Sequence, residues 1–226
     1  MNIAIDGPAG AGKSTIAKKV AKELGSIYVD TGAMYRAMAL FLIDNKIDPH
    51  DENRISSKCL EADITIAYQD GVQRVYLNGT DVTDHLRTED VGNMASVASA
   101  NEALRAKLVE LQQKLAASTP VVMDGRDIGT VVLPHAELKI YLTASAHVRA
   151  LRRYNELLEK EDRDGGLPDL ARIEADIISR DERDMNRTVS PLKKADDAVL
   201  IDSSDMTIEE VTAQIVQLAR QEGQNA

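Results

Sequence analysis

Eight consecutive residues near the start of the chain, Gly7-Pro8-Ala9-Gly10-Ala11-Gly12-Lys13-Ser14, fit the pattern G-x-x-x-x-G-K-[ST] without deviation. Glycines at that spacing let successive backbone N–H groups turn inward as a nest for an anion. A helix beginning at the nest adds partial positive charge. The chemistry implied is the grip of a nucleoside triphosphate such as ATP. Lys13 reaches the β- and γ-phosphates, Ser14 supplies an oxygen ligand to Mg²⁺, and Thr15 adds contacts toward the α-phosphate. A second string, Asn45-Lys46-Ile47-Asp48, spells N-K-x-D, a guanine-reading pattern. It follows a helical run and precedes Pro49, so it reads as a helix-ending turn.

The elements around these residues supply the required context. Asn2–Asp6 reads as a strand before the glycine loop, and the run from Ile16 to Leu24 as a helix after it. Further short apolar runs, Ile27–Val29, Val121–Asp124, Leu138–Leu142 and Ala198–Ile201, alternate with helical patterns and predict an α/β fold with a central parallel five-stranded sheet. Met34, Ala37, Met38, Phe41 and Leu42 share a helical face, as do Leu104, Leu108, Leu111 and Leu115. Thr207 and Glu210 form a capping box that opens the last helix. Between about Leu60 and Ser96 the rhythm breaks. Ile64–Tyr68 and Arg74–Leu77 read as antiparallel strands joined by Gln69–Gln73, with Asn78-Gly79 as a second turn. One P-loop domain is expected over residues 1–226. It carries a small antiparallel β insert at about 60–96 and a short helical lid at about 153–172, around Asp164-Gly165-Gly166-Leu167-Pro168.

Three more blocks can do chemistry. Asp30-Thr31-Gly32-Ala33-Met34-Tyr35-Arg36 follows the second strand, and Asp124-Gly125-Arg126-Asp127-Ile128-Gly129-Thr130 follows the third. The last runs from Arg180-Asp181-Glu182-Arg183-Asp184-Met185-Asn186-Arg187 to Ser190-Pro191-Leu192. Asp124 stands at the end of an apolar strand, where P-loop proteins place the acid that holds Mg²⁺ directly or through water. With the glycine loop, and in this order, the blocks resemble the bacterial-type cytidylate kinase family over nearly the whole chain, β insert included. The resemblance implies transfer of the ATP γ-phosphate to CMP or dCMP with Mg²⁺ required.

Phosphoryl transfer needs positive charge and alignment more than covalent help, so arginines are the residues to find. Arg36, one turn into a helix, is placed to clamp the acceptor phosphate with its fork, with Thr31 and Tyr35 beside it. The resemblance puts Arg126 on the acceptor phosphate and Asp127 on the exocyclic amine of cytosine. A carboxylate accepts from that amine and repels the carbonyl of uracil. It also assigns Ser96 and Arg105 to the ring, Asp184 and Arg187 to the acceptor sugar and phosphates, and Arg180 to the transferred phosphoryl group. Arg149, Arg152 and Arg153 would flank the lid over ATP. Which of them touches phosphate stays open from sequence, and Arg153 is named as the ATP contact.

Composition bounds the alternatives. With 226 residues, 43% apolar and 28% charged, the chain can enclose a sizeable core, and a net charge of −10 opposes nucleic-acid binding. Cys59 is the single cysteine, and no basic leader or membrane-length apolar run stands in the sequence, so a cytoplasmic protein, off the membrane and acting as a monomer, is expected. His50, His85, His135 and His147 lack metal-ligand spacing, and neither G-x-S-x-G nor HExxH occurs. A P-loop kinase for AMP, UMP or shikimate is the sibling alternative. A nucleotide-gated switch is the distant one, and a D-x-x-G on the third strand is missing for it.

Overall fold

The computed structural model describes residues 1–159 and 169–225. Five strands, β1 (Ile3–Asp6), β2 (Ile27–Asp30), β6 (Val121–Gly125), β7 (Leu138–Thr143) and β8 (Val199–Asp202), form a parallel sheet in the order β2-β6-β1-β7-β8. The α/β expectation is met, and all five strands fall where the apolar runs put them. Because side chains alternate across a strand, the sheet feeds two cores. Ile3, Ile5 and Val122 pack with Ile16, Ala17 and Val20 of α1 (Lys13–Leu24) and with Val211 and Ile215 of α8 (Ile208–Asn225). Ala4, Val121 and Met123 pack on the other side against α2 (Thr31–Asp44), α4 (Glu89–Ala98) and α5 (Glu102–Ser118). Met34, Met38 and Leu42 have no exposed surface, and each such burial contributes about 1.5–3 kcal/mol.

The helix ends follow local chemistry. Asp30 accepts the Ala33 N–H at 2.9 Å and starts α2 two residues earlier than its apolar face suggests. Thr207 and Glu210 exchange hydrogen bonds as a capping box before α8. Asn45 ends α2 by donating to the Phe41 carbonyl, and Lys46 turns left-handed (φ 53°), so the N-K-x-D string is a helix terminus. A short α3 (Glu52–Lys58) leads into the insert.

There β3 (Ile64–Gln69), β4 (Val72–Leu77) and the two-residue β5 (Thr80–Asp81) make a separate antiparallel sheet. The expected five-residue joint is a correction. Asp70 (φ 52°) and Gly71 (φ 74°) alone make the turn, so Gln69, Val72 and Gln73 belong to the strands. The insert covers the outer edge of β2. Gln73 accepts the Asp30 N–H at 2.8 Å and donates to the Asp30 carbonyl at 3.2 Å, and the Tyr68 hydroxyl donates to the Tyr28 carbonyl at 3.1 Å. Helices α6 (Ala146–Glu159) and α7 (Leu170–Asn186) pack on each other. The expected loop from Lys160 to Leu170 lies mostly outside the described residues, and with it the Gly165-Gly166 signal and the middle of the lid.

Candidate functional site

The carboxyl ends of β1, β2 and β6 lie side by side, with Asp30 in register with Asp124 and Asp6 with Gly125. This is where open α/β sheets bind ligands. The glycine loop leaves β1 here and enters α1. Gly7 (φ 151°) has no room for a side chain, since a Cβ would stand 1.9 Å from the Leu142 carbonyl oxygen. The buried Lys13 ammonium donates to the Pro8 carbonyl at 2.7 Å. Burial, then the Arg126 charge, holds its pKa below the ordinary lysine value against the pull of Asp124 and Asp6. An anion beside it would restore that charge.

Ser14 Oγ donates to Asp124 Oδ2 and the Tyr28 hydroxyl to Oδ1, both at 2.8 Å. Burial, then the neighbouring Asp30 charge, raises the Asp124 pKa. A hydroxyl and a buried carboxylate in contact are a hard oxygen pair that a divalent cation would satisfy, so Ser14 and Asp124 fit Mg²⁺. Among the described residues no group of three or more His, Cys, Asp or Glu could hold a metal.

From Lys13 a cavity of about 350 Å³ runs between α2, α4 and α7. Seven basic side chains line it, Lys13, Arg36, Arg87, Arg105, Arg126, Arg180 and Arg187, against four acidic ones, Asp30, Asp124, Asp127 and Asp184. A positive pocket in a chain of charge −10 is a local anion site. Ala9, Gly10, Ser14, Thr31, Tyr35 and Ser96 line the same space. Arg126 Nε donates to Asp184 Oδ2 at 2.7 Å. Burial opposes the charge on Arg126, and Asp184, Asp124 and Asp181 outweigh it, so its pKa is raised. Arg180 makes no ion pair with a described residue. Burial and the Arg126 charge lower its pKa.

At the far end the buried Asp127 carboxylate takes a short hydrogen bond from Arg105 and an ion pair from Arg187 at 3.6 Å. Arg105 lies 5.3 Å over the Tyr35 ring, and burial pushes the Tyr35 phenol up to about 12. Arg36 Nε, Arg105 Nε and Arg187 Nη2 are buried without a hydrogen-bond acceptor among the described residues. Such donors are costly unless a ligand takes them. Arg36 itself pairs with Asp30 at 3.3 Å.

Some expected residues stand apart. Gly7, Pro8, Ala11 and Gly12 shape the loop without lining the cavity, and Thr15 is exposed. Arg153, named for ATP, stands one turn past Arg149 on α6 with its side chain half exposed; it pairs with Glu156, and its charge reaches Arg180. Arg152 bonds Ser203. The α6 arginine that meets the glycine loop is Arg149, which donates to the Ala9 carbonyl at 2.7 Å and pairs with Asp181 at 2.6 Å. Asp181 in turn accepts the Ala9 N–H at 3.3 Å.

Sequence reasoning missed Asp6, Arg87, Ser99 and Asp181. Asp6 accepts the Ile128 and Gly129 N–H groups at 2.8 and 2.7 Å, and burial pushes its pKa up to about 6. These bonds fix the loop carrying Arg126 and Asp127 as it enters a π-helical turn, Ile128–Val132. An acid ending an otherwise apolar strand was the signal available.

A solved structure of an uncharacterized protein from Eubacterium ventriosum shares the fold, with a TM-score of 0.54 at 13% identity over 98% of each chain. A cytidylate kinase of Lactobacillus johnsonii is 48% identical over 225 residues, covering 100% of this chain and 96% of that protein. A cytidylate kinase of Caldicellulosiruptor bescii is 50% identical over 218 residues, 96% of this chain and 95% of that protein. The sequence profile described as cytidylate kinase matches residues 3–221. The chain therefore belongs to the cytidylate kinase family.

Proposed function

We propose that the two ends of this pocket hold two nucleotides head to head. The chain is a (d)CMP kinase: it moves the γ-phosphate of ATP to CMP or dCMP, giving ADP and CDP or dCDP. The observation that carries the residue assignments is the basic cavity that starts at Lys13 and ends at the buried Asp127, Arg105 and Arg187 cluster.

On the donor side, residues 7–15 cradle the triphosphate of ATP, with Lys13 at the β- and γ-phosphates. Arg149 holds the loop's Ala9, and Arg153 approaches from the lid side with Arg180. Ser14 and Asp124 hold Mg²⁺, which, when bound, neutralises phosphate charge. On the acceptor side Arg36 and Arg126 orient the CMP phosphate, whose ionised oxygen attacks the γ-phosphorus as ADP leaves. Thr31 and Tyr35 wall the same space. Lys13, Arg126, Arg180 and Arg187 meet the charge that spreads over the phosphoryl oxygens in transit.

Asp127 reads the base. Among the described residues its Oδ1 meets only Arg187, in the 3.6 Å ion pair, which leaves that oxygen room to accept the cytosine amine, with Ser96 and Arg105 at the ring edge. Asp184 and Arg187 take the sugar. On this reading the unit is a monomer in the cytoplasm that binds no nucleic acid, since a net charge of −10 opposes a phosphate backbone. No helix among the described residues is long and apolar enough to cross a membrane.

The test is an acceptor panel of CMP, dCMP, UMP, AMP and shikimate with ATP and Mg²⁺, following ADP release and the phosphorylated product. CDP and dCDP formed one for one with ADP are expected. A well-folded protein that makes neither would remove the assignment, and so would a preference for GTP binding without transfer.

A further inference from the structure

On the far side of β2 the hairpin β3–β4 meets the sheet edge through Gln73 and Tyr68, and beside those bonds lies a second cavity of about 680 Å³. That volume falls within the roughly 300–1,000 Å³ of small-molecule sites. Ile27, Tyr28, Tyr68, Val72, Val75 and Leu86 make it predominantly apolar. Val72, an apolar side chain on the wall of this cavity, leaves 57% of its surface in water.

The charged groups on its wall are not balanced. Lys18 and Lys22, one turn apart on α1, line one side, and Arg36 and Arg87 another. Neither lysine pairs with a carboxylate among the described residues, and Lys18 sits 5.5 Å over the Tyr28 ring. Of the two acids on the wall, Asp30 is already engaged by the α2 N-terminus, Arg36 and Arg87. Asp70 stands exposed at the hairpin turn. An apolar slot between tyrosines with unpaired lysines on one wall selects one ligand chemistry.

We propose that this cavity is a second ligand site, distinct from both nucleotide sites, for a small anion with a planar aromatic body. The ring lies among Tyr28, Tyr68 and Val72, and the anionic group meets Lys18 and Lys22. The site is wired to the first. Arg36, Arg87 and Asp30 line both cavities, and Tyr28 donates to Asp124 from this wall. An occupant that draws on the two arginines weakens their hold on the acceptor phosphate, and CMP weakens the occupant in return.

The probe is 8-anilinonaphthalene-1-sulfonate with the full-length protein. Its fluorescence titration should saturate at one probe per chain, persist under saturating ATP, and persist in Lys13→Ala. Val72→Glu sets a carboxylate at the mouth and should weaken the probe about tenfold. In the absence of probe, its CMP kinase turnover should stay within about twofold of wild type. Lys22→Glu should weaken the probe as well. Saturating probe should raise the CMP KM and leave the ATP KM unchanged. Simple displacement by ATP, or wild-type probe affinity in both variants, overturns the site. An unchanged CMP KM at saturating probe overturns the link between the cavities. The kinetic arm rests on the acceptor reading above, whereas probe binding and its loss in the variants do not, so the two failures are separable.

Discussion

The donor cradle and the acceptor pocket share one cavity and are built on opposite principles. The cradle is backbone. Residues 7–14 are contiguous, Gly7 (φ 151°) and Gly10 (φ 75°) take up conformations that side-chain-bearing residues rarely adopt, and Ala9 is held by Asp181 at its N–H and Arg149 at its carbonyl. The acceptor pocket is side chains. Arg36 comes from α2, Ser96 from α4, Arg105 from α5, Asp127 from the loop after β6, and Asp184 from α7, with Arg105 paired to Asp127 and Asp184 to Arg126. Backbone N–H groups recognise what all triphosphates share, and side chains recognise what distinguishes one base from another. Substitutions on the two sides should therefore fail differently.

The sharpest break is Lys13→Ala. It removes the buried ammonium proposed to meet the transferred phosphoryl group, and kcat should fall about 10³-fold. Steady-state ADP release measures it, and near-normal turnover would place the phosphate grip elsewhere. Next comes Asp127→Asn, which keeps the shape and removes the charge that Arg105 and Arg187 face. The CMP to UMP ratio of kcat/KM should drop about 10–100-fold while the ATP KM holds. If the ratio stays put, base recognition belongs to another residue and the division of labour proposed here is lost.

The same contrast explains what could be read in the sequence. The cradle was legible because its eight residues are consecutive and their glycines answer a local backbone demand. The five strands were legible because doubly covered strands are short apolar runs. The joint between β3 and β4 was misjudged, since Gln69 and Gln73 look like loop residues until the left-handed pair Asp70-Gly71 shows that two residues suffice. Ser96 and Arg105 carry no local signature and entered only through family resemblance. Arg87 and Ser99 were passed over because chain folding, with no motif, brings them to the cavity. Asp6 was counted as the end of a strand, and its hydrogen bonds span more than 120 residues of sequence to Ile128 and Gly129.

Asp6 tests how the rigid side positions the variable one. In Asp6→Asn one of the two N–H groups after Asp127 loses its acceptor, so the CMP KM should rise about fivefold, with the ATP KM unchanged. The pH dependence has a defined sign. Burial holds this carboxyl at about 6, above the 3.8 of a free aspartate, so the folded protein keeps the proton more tightly than the unfolded chain. The stability Asp6 contributes is full below the lower value and is lost as pH rises through the upper one. Across about pH 4 to 6.5, wild type should lose roughly 2 kcal/mol relative to Asp6→Asn in urea unfolding. Parallel pH profiles would show that Asp6 titrates normally and contributes nothing through its burial.

The smallest effect concerns the seam between the insert and the sheet. Gln73→Leu deletes one hydrogen bond to each polar group of the Asp30 backbone, on a strand edge that is half-buried. At about 1 kcal/mol per bond, partly recovered by water, the protein should lose about 1–2 kcal/mol in denaturant unfolding. Asp30 also caps α2 and pairs with Arg36. A looser seam should therefore let Arg36 wander and raise the CMP KM about twofold to threefold, again without touching ATP. If stability falls and both KM values stay fixed, the insert serves as a cover for the sheet edge, and the acceptor pocket draws its precision from α2, α5 and α7 alone.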